Sequence, residues 1–269
     1  MDGFFSPSAQ VSESYEQAKH CGFSDISAQI AFNNALRREA FKIRHAGYHH
    51  YGYINQNLDG IFSDKYDNYP NSITTVIYKG NKSAGTVRVC MFDIDDADNN
   101  GIPAMEIFSD EVFDIMNPKF NSYLPEGARR VVEVTRMARL PEFANDSSVL
   151  QAIFRVVGYL VLHYKPDIVL NACRIHHVPI YKRFGFTKIH SERKYPNLNY
   201  KACLMAYFSN NFTAAKDNLM FLRGISEGDL AYLSLLSGGR IRLNMQECSA
   251  GLIKSFSTQT YQNPNYECN

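Results

Sequence analysis

Residues 131–164 constrain the fold more than any other stretch, because the apolar period changes from two to 3.6 across one short turn. VVEVTRMARL alternates, so Glu133 and Thr135 share one strand face while Val132 and Val134 share the other. PEFANDSS follows as a turn. VLQAIFRVVGYLVLHY then reads as an apolar helix, its start marked by Ser148 and Gln151 at capping-box spacing. A carboxylate on a strand that leads through a turn into a helix N-terminus is a place to bind a phosphate-bearing donor. The same pattern also describes a buried strand–helix unit with one satisfied acid.

Composition narrows the classes. At 269 residues the chain has room for a sizeable core, and 45% hydrophobic with 20% charged residues is ordinary for a globular protein. The 28 Lys and Arg against 27 Asp and Glu leave a net charge of +1, which gives no pointer to nucleic acid. Cysteines 21, 90, 173, 203, 248 and 268 are scattered without a CxxC pair, so reduced thiols are expected rather than disulfides or a zinc site. MDGFFSPSAQ has no basic region leading into an apolar run, and VVGYLVLHY is too short to span a membrane. A cytoplasmic protein without a transmembrane segment is expected.

Along the chain, residues 12–46 read as helical, interrupted by Gly22 and stopped by Gly47. ITTVIYKG and SAGTVRVCMF form a hairpin around Lys79-Gly80-Asn81-Lys82. In the acidic loop after it, Asp96, Asp98, Asn100 and Gly101 fit the start of a calcium loop. Position twelve is Ile107 where a bidentate Glu is needed, so an exposed turn is the reading. AMEIFSDEVFDIM is a helix, DIVLNACR a buried strand, HHVPIYKRFGF a short helix, and FTKIHSER and YKACLMAYF two strands. DLAYLSLL and AGLIKSF are helical pieces before a polar tail. The expected domains are 1–210, a mixed α/β (α+β) unit, and 211–269, a C-terminal helical extension and tail.

This order, with HHVPIYKRFGF in the place of a helix ending Tyr-x-x-x-Gly-Phe, resembles the GNAT acyltransferases. The polar residues resemble a narrower group. Arg37 with Phe41, Gly47-Tyr48, Asp64 with Asp67, Gly85 with Arg88, and Glu133-x-Thr135-Arg136 follow the order of motifs in the acyl-homoserine lactone synthases and the related long-chain N-acyl amino acid synthases. The resemblance covers about residues 30–190. It implies a mostly antiparallel central sheet flanked by helices, and transfer of a fatty acyl group to an amine.

Read this way, Glu133 is the general base that takes the ammonium proton, Thr135 orders a water, and Tyr181 protonates the leaving thiolate. Arg37, Asp64, Asp67 and Arg88 form an ionic cluster that either shapes or touches the acceptor site, with Phe41 and Arg136 beside it. Phe154, Val157, Leu160 and Val161 line an acyl tunnel or fill the core. The stretch ARLPEFANDSS lacks the glycines with which related enzymes cradle the coenzyme A pyrophosphate. That departure implies acyl-acyl carrier protein as the donor, a phosphopantetheine thioester, with no permanently bound cofactor. A basic rim that includes Arg139, Arg155, Lys182 and Arg183 would meet the acidic carrier. The acceptor is expected to be an amino acid, and no metal site is visible. Two other readings stand: an autoinducer synthase using S-adenosylmethionine, and a non-catalytic module that binds acyl chains or their carrier protein.

Overall fold

The computed structural model describes residues 25–96, 101–124, 126–195, 197–209 and 222–243. The helix expected before Gly22, Asp98 and Asn100 of the acidic loop, and AGLIKSF lie outside these residues.

The strands are β1 (Ile26–Ile30), β2 (Ser72–Lys79), β3 (Lys82–Asp93), β4 (Arg130–Arg139), β5 (Ile168–Cys173), β6 (Thr187–Lys194), β7 (Lys201–Phe208) and β8 (Ile241–Arg242). They form one sheet in the order β6-β7-β5-β4-β3-β2-β1-β8. Each neighbouring pair is antiparallel except β4 with β5. A parallel pair needs a crossover, and helix α3 (Ser147–Tyr164) provides it. Helices α1 (Asn34–His50) and α2 (Met105–Met116) precede β4, α4 (Val178–Arg183) leads into β6, and α5 (Leu230–Leu236) precedes β8. This is the mixed α/β GNAT-like architecture that the resemblance implied.

Two local expectations are corrected. Ile26–Ile30 is a strand, not the front of a helix, because Ile26 and Ala28 are buried between β2 and β8. The helix begins only where Asn33 accepts a hydrogen bond from Leu36 N at 2.9 Å. Gly47 does not stop α1, which runs to His50. A Cβ at that position would meet Arg139 O at 2.6 Å, so glycine is there to let the helix approach β4.

The crossover helix covers an apolar face. Val87, Val89, Val132 and Val134 of the sheet pack with Val149, Ile153, Val156 and Leu160 of α3. Fully burying one such side chain stabilises by roughly 1.5–3 kcal/mol. Residues 222–243 join this body. Leu222 and Ile225 press against Gly158, and Tyr159 donates to Asp229 Oδ2 at 2.7 Å. Among the described residues no helix is long and apolar enough to cross a membrane.

Candidate active site

β4 and β5 pair only through Val131↔Ile168, Val132↔Val169 and Glu133↔Leu170, although both strands continue. Beyond Glu133 they separate, and Asn171 Nδ2 reaches across to Val134 O at 2.8 Å. Ligands in sheets with parallel strands commonly sit outside the carboxyl ends of those strands. This opening is therefore the natural place for a substrate.

One irregularity sets what faces it. Between Thr86↔Ala138 and Arg88↔Thr135 the ladder carries an extra residue on β4, and Arg136 adopts a left-handed φ of 52°. The bulge shifts the alternation by one, which exchanges the faces. Before it, Glu133 and Thr135 stand opposite Val132 and Val134; after it, Ala138 packs on the α1 side and Met137 on the α3 side. Arg136 is thereby aimed at the polar side, where it meets Asp64 with Nε at 2.8 Å and Nη2 at 2.6 Å.

That side holds a chain of alternating charges. Arg44 Nη1 donates to Asp67 Oδ1 at 2.7 Å and Nη2 to Thr74 Oγ1 at 3.0 Å. Arg88 Nη1 lies 2.9 Å from the same Asp67 oxygen and donates to Asp64 Oδ1 at 2.5 Å, while its Nη2 donates to Asp64 Oδ2 at 3.0 Å. Asp64 and Asp67 also cap one 3-10 turn reciprocally, which fixes both carboxylates. Burial alone would raise the Asp64 carboxyl, but the hydrogen bonds and charges of Arg88, then Arg136, hold it well below the usual carboxylate range. Three guanidiniums against two carboxylates leave one positive charge, and ionised Glu133 neutralises it.

Glu133 is 0% exposed. Its Oε2 accepts from Ala104 N at 2.7 Å, and Oε1 has no hydrogen-bond partner among the described residues. Burial pushes its carboxyl up to about 7, against the pull of the Ala104 N–H and of Arg88 and Arg136. A carboxylate with that proton affinity is matched to taking a proton near neutrality. Thr135 is half-buried beside it on β4.

The other side of the opening carries Tyr181, on α4, packed edge-on against Phe186 at 5.3 Å between ring centroids. Burial keeps its phenol protonated well above the ordinary range, with Cys173 as the next influence. Asn171, which reaches across to β4, also meets the Tyr181 hydroxyl, so acid and base candidates border the same opening.

Several sequence assignments move. The arginine that enters the ionic chain is Arg44, not Arg37, whose Nε donates to Ala31 O at 3.3 Å. Arg44 with Tyr48 fits an Arg-x-x-x-aromatic spacing as well as Arg37 with Phe41 does, and burial distinguishes them. Phe41 lies under the Arg44 guanidinium, 5.1 Å from carbon to ring centroid. Arg155 is buried, not on a rim, because residues 222–225 cover it and its Nη1 donates to Arg223 O at 3.0 Å. Leu160 is core rather than tunnel wall. Lys182 and Arg183 are exposed on α4. Arg139 donates to the carbonyls of Phe143 and Asp146 at 3.4 and 3.1 Å.

The helix N-terminus beside the opening is closed by the chain itself. Asp146, not Ser148, is the cap: its Oδ1 accepts from Ser148 N at 2.9 Å, Val149 N at 3.4 Å and Ser148 Oγ at 2.5 Å. Its other oxygen pairs with Lys79. Ser148 has the composition of a cap, but the acid two residues earlier is the stronger acceptor for those amides.

A family model, N-acyl amino acid synthase FeeM, matches residues 39–207. The structure of FeeM, an N-acyl amino acid synthase from uncultured soil microbes, is 19% identical with a TM-score of 0.56, over 75% of this chain and 98% of that one. TofI, solved in a ternary complex with an inhibitor and MTA, is 10% identical with a TM-score of 0.50, over 72% and 96%. The AHL synthase LasI is 16% identical with a TM-score of 0.46, over 68% and 90%. No curated protein sequence matches.

Proposed function

The chain belongs to the FeeM family of N-acyl amino acid synthases, which makes it an acyltransferase, and we propose that it moves a long-chain fatty acyl group from acyl carrier protein to the amine of an amino acid. The observation that carries this reading is Glu133: a buried carboxylate, poised near neutrality, with one unpartnered oxygen at the point where β4 and β5 part.

The acceptor enters as an ammonium and must lose a proton before its nitrogen can attack. Glu133 takes that proton. The nitrogen lone pair then forms the C–N bond to the thioester carbon, and the oxyanion is met by a backbone N–H of the separated strands. When the tetrahedral species collapses, the C–S bond breaks and the thiolate leaves. The second proton shed by nitrogen returns to sulfur through Tyr181. Proton transfer to Glu133 leaves the ionic chain with one uncompensated positive charge, which favours an acceptor that carries a carboxylate. Arg136, Arg88 and Asp64 shape that acceptor site; Asp67 acts through Arg88 and Arg44.

The donor assignment rests on the helix N-terminus. Coenzyme A would bring a pyrophosphate to the amides at the start of α3, and the Asp146 carboxylate already occupies them. A carrier protein brings one phosphodiester, and the exposed cations Lys182 and Arg183, with Arg139 nearer the opening, suit its acidic surface. Mass detection of the products formed from palmitoyl-acyl carrier protein and a mixture of amino acids tests the reading. N-acyl amino acid is expected; formation of acyl-homoserine lactone from S-adenosylmethionine, or no transfer at all, would overturn it.

A further inference from the structure

The turn between β6 and β7 does not stay on its own hairpin. Asn199 N donates to Tyr53 O at 2.8 Å and Asn199 Nδ2 to Gly52 O at 3.3 Å, so residues 197–200 are tied to the end of α1. Tyr195 and Leu198 accordingly pack with α1 and Ala138 on the face that holds Glu133. Tyr195 stands at the head of the turn, fixed by its N–H to Tyr200 O at 3.2 Å, with its ring 5.5 Å from the Arg136 guanidinium carbon.

Tyr195 is 3% exposed, and its hydroxyl has no hydrogen-bond partner among the described residues. Buried tyrosine hydroxyls usually find one, and leaving such a group unpaired costs roughly 1–3 kcal/mol. Glu133 Oε1 is orphaned in the same way. The two lie on one side of the sheet, both beside Arg136, and the transfer through Glu133 and Tyr181 leaves the Tyr195 hydroxyl unused. Burial, then the negative charge of Glu133, holds the phenol above its ordinary range, so it stays a neutral hydroxyl at any working pH.

We propose that Tyr195 is a further catalytic residue: its hydroxyl oxygen accepts one N–H of the acceptor amine while Glu133 Oε1 accepts another. The inference rests on the reading of the reaction given above. Glu133 takes the proton of the N–H it accepts, and the Tyr195 hydroxyl keeps its own N–H, which holds the nitrogen in place while the freed lone pair turns from Glu133 toward the thioester carbon. Tyr195 keeps its own proton throughout. The nitrogen gives one proton to Glu133 before attack and a second to the departing sulfur, and the hydroxyl only holds the nitrogen in line.

Tyr195→Phe in the full chain tests this. Removing an unpaired buried hydroxyl leaves packing intact, so the variant is expected to fold with an unchanged or higher Tm. With palmitoyl-acyl carrier protein and the preferred amino acid, kcat should fall roughly tenfold or more, the scale of one lost hydrogen bond in the transition state. The Kd for the acyl donor, read by titration without acceptor, should not move, which separates the role from a general loosening of the site. Wild-type kcat and acceptor KM in the Phe variant would remove Tyr195 from the mechanism while leaving the reaction standing. An unaltered chain that acylates no amino acid would overturn the reading of the reaction, and this inference with it.

Discussion

β4 has two faces that differ as much as any two regions of the molecule. On one, Glu133 and the bulge residue Arg136 join Arg44, Arg88, Asp64 and Asp67 in a buried ionic chain. On the other, Val132 and Val134 meet the apolar side of α3. The apolar face tolerates exchange of similar shapes, because its attraction is non-directional. The ionic face does not: its charges are buried against specific partners, and removing one unbalances the chain. Stiff support and chemistry thus sit one residue apart on a single strand.

The sharpest way to break that contrast is Glu133→Gln. The amide keeps the Ala104 hydrogen bond but cannot take the ammonium proton, so transfer should fall by about 10²- to 10⁴-fold, and raising the pH should partly restore it by supplying free amine. Steady-state rates with intact donor binding check this, and an active Gln variant would return Glu133 to a purely structural role. Stability should respond to pH in a defined direction. Glu133 titrates near 7 in the folded protein against an ordinary 4.5, so the wild type loses stability as pH rises from 4.5 to 7 while the Gln variant does not. Urea melts at both ends of that window should diverge only at the upper one.

An effect of similar size in free energy, but on stability rather than rate, is expected from Arg44→Met. It removes one of the two guanidiniums on Asp67, whose side chain is 1% exposed, and should cost about 3 kcal/mol in urea unfolding. On the opposite face, Val132→Ala should cost only about 2 kcal/mol, and transfer should survive it. Equal costs for the two would erase the distinction between the faces. The smallest expected change is a gain. Asp146→Asn keeps the cap shape but removes the charge from the α3 N-terminus, and should raise kcat/KM for acyl-coenzyme A by about tenfold, roughly 1.4 kcal/mol. No change would mean that the glycine-free loop, rather than the carboxylate, excludes the pyrophosphate.

Much of this was legible in order and spacing. The β2–β3 hairpin follows from Lys79-Gly80-Asn81-Lys82, where Gly80 takes a positive φ of 60°. The β4–α3–β5 unit follows from the change of period, and the family from motifs that recur in sequence order. What stayed hidden depends on distant partners. Ile26–Ile30 is a strand because β2 and β8 flank it, and five residues before a helix carry too little pattern to say so. Arg44 and Arg37 have the same local surroundings in sequence; only the position of Asp67 chooses between them. Arg155 reads as surface until residues 222–225 cover it. Tyr195 gives no sequence signal at all, since its role depends on a turn that crosses to another part of the chain.

The pairing of β1 with β8 has a consequence for how the molecule is made. Ser27 registers with Arg242, and Leu243 N donates to Ile26 O at 2.9 Å, so β1 gains its outer neighbour only after the other described strands have been made. Until then the ribosome holds out a chain whose β1 has an open edge, the kind of surface on which nascent chains stick to one another. The wait is set by translation speed, about 5–20 residues per second, rather than by any step of folding. Chaperone supply during the interval between β1 and β8 should therefore affect the yield of this protein.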